Sequence, residues 1–269
     1  MLQDLHVAVR MWQHFRGHIG RMRHQNSPPE LAHDCALFLD IDGTLLNFSV
    51  DPLGVEVPPG LPPLLRGLAG WLDGALALLS GRRLADIDQL LGAGFAAGAE
   101  HGAVLRAGDG AIIAEARPDP ALQALRAPLA EAVGRHPGTL LEEKRFGLVL
   151  HWRAAPQAQE ALTELGQALA APHPGLVLMP AHAALEIRQR GTDKGAALER
   201  FMALPPYAGR RPVFIGDDVT DEPAIARARE MGGMGLHVAR DFGGRVEAVR
   251  AWLAASLEKG RMDVATLQS

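Results

Sequence analysis

Two aspartates separated by one residue stand directly after a short apolar run, and this feature constrains the fold most. Residues 36–39 are apolar without alternation, which is typical of a strand buried on both faces of a parallel sheet. Residues 40–44, DIDGT, place Asp40 and Asp42 at the carboxyl end of that strand, where open α/β sheets bind ligands. One carboxylate there can attack phosphorus as a nucleophile, and the other can protonate the leaving oxygen.

The rest of the chain alternates short apolar strands with helical segments, which predicts a parallel α/β sheet. Further strands are predicted at residues 75–79, 95–99, 212–215 and 235–239, and helices near 84–91, 192–203, 220–230 and 244–257. Between about 108 and 183 the chain has its own set of short strands and two alanine-rich helices. We therefore predict a Rossmann-like core, residues 34–107 and 184–260, with an inserted α/β cap domain at 108–183.

Residues 1–33 differ from this pattern and form a predicted N-terminal extension. They contain five of the eleven histidines of the chain, and their apolar residues have roughly helical spacing. This pattern allows a membrane-surface helix, a partner-docking helix or a metal-binding tract. The histidines show no repeated ligand spacing, so a loosely ordered, flexible extension is the favoured interpretation.

Composition limits the partners and the compartment. The net charge of −4 at pH 7 provides no broad attraction to nucleic acid or to an anionic membrane. Cys35 is the one cysteine of the sequence, so an intramolecular disulfide is excluded. No apolar stretch has the length needed to cross a bilayer, and charged residues interrupt the N-terminus where a signal peptide would be apolar. We expect a cytoplasmic protein without nucleic acid or membrane partners, and the oligomeric state stays open.

Two further residues at predicted element ends could bind phosphate. Ser80 follows the strand at 75–79, and its hydroxyl can hold a phosphoryl oxygen, although a serine there is also a common helix cap. Lys194 stands at a predicted helix N-terminus, where the helix dipole disfavours a cation unless an anion is bound. Lys194 could therefore neutralise phosphate charge in the transition state. A solvated surface lysine is the alternative.

Residues 216–222, GDDVTDE, place four acids after another predicted strand. Such carboxylates repel one another unless a cation is present, and hard oxygen ligands suit Mg²⁺. Asp221 and Glu222 also fit the first turn of the next helix, so part of the cluster can serve as a helix cap. We assign Asp217 to a metal site, and Asp218 and Asp221 to the groups that support it.

In this order along an α/β sheet, these motifs resemble those of the haloacid dehalogenase-like (HAD) phosphatases. Five further motifs resemble the trehalose-6-phosphate phosphatase family within them: LSGR at 79–82, EHGA at 100–103, LEEK at 141–144, LHWR at 150–153 and EIR at 186–188. The resemblance covers about residues 35–257 and implies a magnesium-dependent phosphoric monoester hydrolase. Such an enzyme would convert trehalose 6-phosphate to trehalose and phosphate through an aspartyl-phosphate intermediate, in trehalose biosynthesis.

The resemblance also implies a role for each matching residue. Asp40 would be the nucleophile, Asp42 the acid and then the base, and Ser80 and Lys194 the groups that grip the phosphoryl. Mg²⁺ would be held by the Asp40 carboxylate, the Asp42 carbonyl and Asp217. The residues expected to contact the substrate are Asp40, Ile41, Asp42, Ser80, Gly81, Arg82, His101, Glu142, Lys144, His151, Arg153, Glu186 and Arg188.

The choice of substrate depends on the residues expected to bind sugar hydroxyls, and here the sequence also departs from the family. These residues are Glu142, Lys144, His151, Arg153 and Glu186. The family often has a serine at the position of Gly147 and a proline at that of Gln189. Two alternatives therefore stay open. One is a phosphatase of another glycosyl phosphate, of the sucrose-phosphate or mannosylphosphoglycerate type, and the other is a non-catalytic phosphosugar-binding module on the same fold.

Overall fold

A computed structural model describes residues 28–47, 55–181 and 183–267 of the chain. Most of the predicted N-terminal extension, residues 1–27, lies outside this part, so the alternatives for it stay predictions. The strands are β1 (Cys35–Leu39), β2 (Leu76–Leu79), β3 (Ala96–Ala99), β4 (Val104–Arg106), β5 (Ile112–Glu115), β6 (Leu140–Glu143), β7 (Gly147–His151), β8 (Leu176–Ala181), β9 (Ala184–Gln189), β10 (Arg211–Gly216) and β11 (Met234–His237). The helices are α1 (Leu61–Trp71), α2 (Leu84–Leu91), α3 (Pro120–Arg135), α4 (Gln159–Ala170), α5 (Lys194–Met202), α6 (Glu222–Glu230), α7 (Val238–Asp241) and α8 (Val246–Leu267).

The larger of two sheets has seven strands in the order β11-β10-β1-β2-β3-β4-β5. Neighbours from β11 to β3 are parallel, whereas β4 and β5 add in antiparallel orientation. β1 is central, and all five of its side chains are buried, as its unbroken apolar run predicts. Parallel strands end at one edge of the sheet, so the residues after β1, β2 and β10 come together there.

The smaller sheet has four antiparallel strands in the order β6-β7-β9-β8. Alternate residues of β9, Leu185 and Ile187, are buried with α3 and α4 in a second apolar cluster. Because side chains alternate along a strand, Glu186 and Arg188 lie on the other face, where they line a pocket shared with the larger sheet. The predicted mostly parallel α/β core with an inserted α/β cap is thus confirmed.

Two strands near the predicted domain borders lie in the other sheet. β5, inside the predicted cap at 108–183, pairs with β4 and extends the larger sheet. β9, predicted as core, lies in the smaller sheet between β7 and β8. The predicted borders at 108 and 183 are therefore each displaced by one strand, because apolar periodicity indicates a strand but not its pairing partner.

The longest described helix, α8, packs along α1 through glycines that allow close approach. A Cβ atom added at Gly260 would lie 2.2 Å from the ring of Trp71, and one at Gly67 would lie 2.7 Å from Leu257. This contact packs α8, the last described helix, against α1, the first one. Within the described residues, no helix combines the length and the apolarity that a membrane span requires.

Candidate active site

Asp40 follows β1 and is held on both of its carboxylate oxygens. Lys194 Nζ lies 2.6 Å from Oδ1, and the hydroxyl of Thr44 donates to Oδ2 at 3.0 Å. All three side chains are buried. The DIDGT turn therefore supplies both the carboxylate and, through Thr44, one of the donors that fix its orientation.

Lys194 is buried at the first position of α5, with two carboxylates around its ammonium group. Asp40 and Asp221 each lie 2.6 Å from Nζ. Burial alone would lower the pKa of Lys194, but the charges of these two carboxylates raise it above its usual range. The lysine therefore stays protonated. The helix dipole disfavours a cation at a helix start, and the carboxylates of Asp40 and Asp221 supply the negative charge that offsets this effect.

Asp221 connects this lysine to the acidic loop. Its second oxygen, Oδ2, accepts hydrogen bonds from the main-chain N–H groups of Asp217 and Asp218, at 3.0 and 3.1 Å. The side chain is fully buried. Asp218 instead turns outward, and its carboxylate accepts from the N–H of Val219 at 2.6 Å as a helix-turn cap. Asp221 thus connects Lys194 with the acidic loop. Its position in the sequence indicated a residue in the first turn of a helix, and this did not predict the contact with Lys194.

The carboxylates of Asp40, Asp217 and Asp221 form a group that could hold a metal ion, with one oxygen of each within 4.8 Å of the others. Burial and its acidic neighbours, Asp221 above all, raise the pKa of Asp217 to about 6. Burial likewise raises the pKa of Asp40, and Lys194 opposes this effect. Mutually repelling, all-oxygen ligands of this kind fit a hard divalent cation.

Gly43 allows Asp217 to approach the DIDGT turn. It has a φ of +80°, and a Cβ atom there would lie 2.1 Å from Oδ2 of Asp217. A side chain at this position would therefore displace the carboxylate from the group. The glycine of the turn is needed for the acidic site as well as for the backbone conformation.

Asp42, the predicted proton donor, is paired with Arg82 rather than with the acidic group. Nε and Nη2 of Arg82 donate to the two carboxylate oxygens of Asp42 at 2.7 and 2.6 Å. The main-chain N–H of Arg82 also donates to the hydroxyl of the buried Ser80, at 3.2 Å. Arg82, predicted as a substrate contact, thus links the loop of Ser80 to Asp42.

A left-handed turn at residues 100–102 places His101 over the same loop. Glu100, His101 and Gly102 have φ values of 49°, 57° and 90°. Their main chain is held by hydrogen bonds from the N–H of Glu100 to Arg82 O and from the N–H of His101 to Ser80 O, both at 2.9 Å. The imidazole lies against Gly81, where a Cβ atom would approach within 2.6 Å of the ring.

One pocket between the two sheets is lined by five of the thirteen predicted substrate contacts, two from the larger sheet's side and three from the cap. Lys144 Nζ lies 3.2 Å from Oε1 of Glu186 on the cap wall. The lining residues are Gly81, Glu100, His101, Lys144, Phe146, Gly147, Glu186, Arg188 and Thr192. Glu100, Phe146, Gly147 and Thr192 were not among the predicted site residues, although Glu100 adjoins His101 in the EHGA motif.

The remaining predicted residues lie outside the lining of this pocket. Glu142 and His151 form a partly exposed pair at 2.9 Å, and this hydrogen bond lowers the pKa of Glu142. The strand register places both on the same face of the smaller sheet as Glu186. Arg153 is exposed after β7, and Ile41 is buried in the core.

Comparisons with known proteins agree with this arrangement. A family model described as trehalose-phosphatase matches residues 38–250. The chain is 38% identical over 211 residues to a trehalose-6-phosphate phosphatase of Escherichia coli (strain K12), covering 78% of this chain and 79% of that protein. It is 40% identical over 205 residues to a protein of Sinorhizobium fredii named as a probable trehalose-phosphate phosphatase, covering 76% and 77%.

Solved structures are similar in fold. The C-terminal domain of a C. albicans trehalose-6-phosphate phosphatase has a TM-score of 0.61 at 21% identity, covering 77% of this chain and 81% of that one. A haloacid dehalogenase-like hydrolase from B. subtilis has a TM-score of 0.55 at 15% identity, covering 80% and 99%. At these identities the likeness concerns the architecture alone.

Proposed function

The chain belongs to the trehalose-phosphatase family, and we propose that it hydrolyses trehalose 6-phosphate to trehalose and inorganic phosphate. The observation that carries the proposal is the pocket between the two sheets. On the core side it is lined by Gly81 and by His101, on which the charge of Lys194 in the buried Asp40–Lys194 pair acts, and on the cap side it is lined by the Lys144–Glu186 pair. The first pair suits phosphoryl transfer, and the second offers a donor and an acceptor to sugar hydroxyls.

In the first step, a carboxylate oxygen of Asp40 forms a bond to phosphorus while the ester P–O bond breaks. The charge of Lys194 opposes the rise that burial causes in the pKa of Asp40, and it can also balance the charge of the phosphoryl oxygens. The departing trehalose oxygen takes a proton from protonated Asp42, which forms when this carboxylate turns away from Arg82 and takes up a proton from solvent. The products of this step are trehalose and an aspartyl phosphate on Asp40.

In the second step, water attacks the phosphorus of the aspartyl phosphate. Asp42, now ionised, accepts a proton from the water. The bond between phosphorus and the Asp40 oxygen breaks, which releases inorganic phosphate and restores the free carboxylate. Ser80, at the buried end of β2, supplies a hydroxyl to a phosphoryl oxygen in both steps.

We propose that Mg²⁺ is held by the Asp40 carboxylate, the main-chain carbonyl of Asp42 and Asp217. When bound, the ion supplies positive charge to the phosphoryl oxygens. The all-oxygen donor set, the raised pKa of Asp217 and the close approach of Gly43 support this assignment. Asp221 holds Lys194 and the loop in place, and Asp218 caps the turn that follows.

We assign the sugar to the cap. Glu142, His151 and Arg153 lie outside the lining of the pocket that contains Lys144 and Glu186, and we propose that they contact the more distant glucose unit of the disaccharide. The small-molecule substrate and a place in trehalose biosynthesis follow from the reaction. The cytoplasmic location stays a prediction.

Phosphate release from a panel of esters tests the proposal. We expect magnesium-dependent turnover of trehalose 6-phosphate and less efficient turnover of sucrose 6-phosphate and mannosyl-3-phosphoglycerate. Asp40→Asn should abolish turnover, whereas Asp109→Asn, in an exposed turn, is the matched control and should retain it. Full activity of Asp40→Asn would refute the mechanism, and a preference for another ester would refute the substrate. Tight binding of trehalose 6-phosphate without turnover would indicate a binding module instead.

A further inference from the structure

Arg188 of β9 carries hydrogen-bond donors that are buried without an acceptor. The residue is 7% exposed, and Nε and Nη1 contact no acceptor among the residues that the structure describes. Nε carries one N–H and Nη1 carries two. Glu186, on the same face of β9, has Lys144 as its partner at 3.2 Å. Proteins seldom leave buried, charged donors unpaired, so these atoms indicate a ligand that accepts hydrogen bonds.

His101 presents a second unpaired atom on the opposite wall of the pocket. In the described chain, Nδ1 is buried and has no hydrogen-bond partner. The left-handed turn and the contact with Gly81 hold the ring in this position. Thr192 also lines the pocket, but its hydroxyl already donates to Gln189 O at 2.7 Å. The unpaired nitrogens of Arg188 and His101 thus belong to residues on two walls of the pocket, and Nδ1 of a neutral imidazole donates when it carries the ring proton.

The charges around the pocket favour an anion over a neutral hydroxyl. Burial, followed by the charges of Lys194, Arg188 and Lys144, lowers the pKa of His101 well below its usual range. These three cations therefore surround a neutral imidazole. Lys194 is balanced by Asp40 and Asp221, and Lys144 by Glu186. Arg188 is therefore the one of the three without a carboxylate partner among the described residues, and burial raises the pKa of Glu100 and so weakens its contribution as an anion.

The position of His101 indicates which part of the substrate this anion is. The imidazole packs on Gly81, the residue after Ser80, and the charge that acts on it most is Lys194, the partner of Asp40. Building on the function proposed above, we propose that Arg188 and His101 bind the phosphoryl group of the substrate from the cap side and the core side. The cap then recognises the phosphate in addition to the sugar.

Two substrates separate a phosphate contact from a sugar contact. Trehalose 6-phosphate has both groups, whereas p-nitrophenyl phosphate has only the phosphate. In Arg188→Gln we expect kcat/KM to fall by about 10- to 100-fold on both esters, the factor of one charge-assisted hydrogen bond. Lys144→Gln should lower kcat/KM on trehalose 6-phosphate alone. Arg135→Gln removes an exposed cap cation that pairs with Glu131 and should change neither.

The inference is wrong if Arg188→Gln loses activity on trehalose 6-phosphate but not on p-nitrophenyl phosphate, or on neither. Thermal melting of each variant reports folding, and Arg188→Lys, which keeps a cation, replaces Arg188→Gln if the latter does not fold. An enzyme that cleaves p-nitrophenyl phosphate but not trehalose 6-phosphate would refute the proposed function, and the Arg188 comparison would still decide this inference. If neither ester is cleaved, calorimetric binding of inorganic phosphate with Mg²⁺ decides it, because Arg188→Gln should weaken that binding by a similar factor.

Discussion

Replacing Asp221 by asparagine tests whether one buried carboxylate holds both the active-site lysine and the acidic loop. Oδ1 of Asp221 lies 2.6 Å from Lys194 Nζ, and Oδ2 accepts from the N–H groups of Asp217 and Asp218. Asparagine has a single side-chain oxygen, so it can serve the lysine or the loop but not both. The variant therefore loses at least one charge-assisted hydrogen bond together with the negative charge.

The expected loss of unfolding free energy follows from the bonds that disappear. A hydrogen bond to a charged group contributes about 1.5–3 kcal/mol, and breaking a buried ion pair costs about 3–5 kcal/mol when the remaining charge is left alone. Lys194 keeps Asp40 as a partner, so we expect a loss of about 2–3 kcal/mol for Asp221→Asn. In a chain of this size, that loss lowers the melting temperature by roughly 4–6 °C.

Calorimetry and urea unfolding of Asp221→Asn beside Asp218→Asn measure this effect. Asp218 caps a turn through the N–H of Val219, and asparagine caps almost as well, so the control should lose less than about 0.5 kcal/mol. We also expect kcat of Asp221→Asn to fall by about 10- to 100-fold, because Lys194 is no longer held on two sides. Wild-type stability of Asp221→Asn, or an equal loss in the control, would refute the reasoning.

Three further predictions concern the turn, the metal site and the histidine. Gly43→Ala should lower kcat by at least about 100-fold, since its Cβ would displace Asp217, whereas Gly110→Ala, also at positive φ but in open space, should retain wild-type kcat. When a chelator keeps the site free of metal, the folded-state pKa of Asp217 is raised to about 6. The contribution of Asp217 to stability is therefore full below about pH 4 and is lost as pH rises through about 6. Melting temperatures measured from about pH 4 to 7 should show this loss, and addition of Mg²⁺ or the Asp217→Asn substitution should remove it. Burial and nearby cations lower the pKa of His101. The contribution of His101 to stability is therefore present above pH 6.5 and is lost as pH falls below 6.5. If His101→Asn and the wild type show the same dependence of stability on pH from about 5 to 7, this cause is contradicted.

Local sequence signals were sufficient where one element determines the outcome. The unbroken apolar run before Asp40 indicated a strand buried on both faces, and β1 is the centre of the sheet. The carboxyl edge of a parallel sheet then brings the residues after β1, β2 and β10 together, whatever the details of packing. The fold and the meeting of Asp40 and Asp217 could therefore be predicted from the chain.

Contacts between distant segments could not be predicted in this way. Arg82 and Asp42 are separated by 40 positions, and charge alone does not indicate that they pair. The acid at Asp221 has the spacing of a helix cap, and only the fold shows its oxygen beside Lys194. The sheet membership of β5 and β9 likewise depends on pairing with strands far away in the chain. Each of these outcomes is decided by tertiary packing, which the spacing of apolar residues does not encode.

The direct connection from β9 to α5 has a consequence for how substrate preference can be engineered or can evolve. Glu186 and Arg188 lie on β9, and Lys194 begins α5 after a short link at 190–193. The groups that we propose to read the substrate and the lysine that pairs with Asp40 are thus encoded in a single short stretch of gene. Exchange of residues 184–189 between relatives can alter the accepted ester in one event, whereas an insertion or deletion in the link would shift Lys194 against Asp40 and abolish the reaction for every ester.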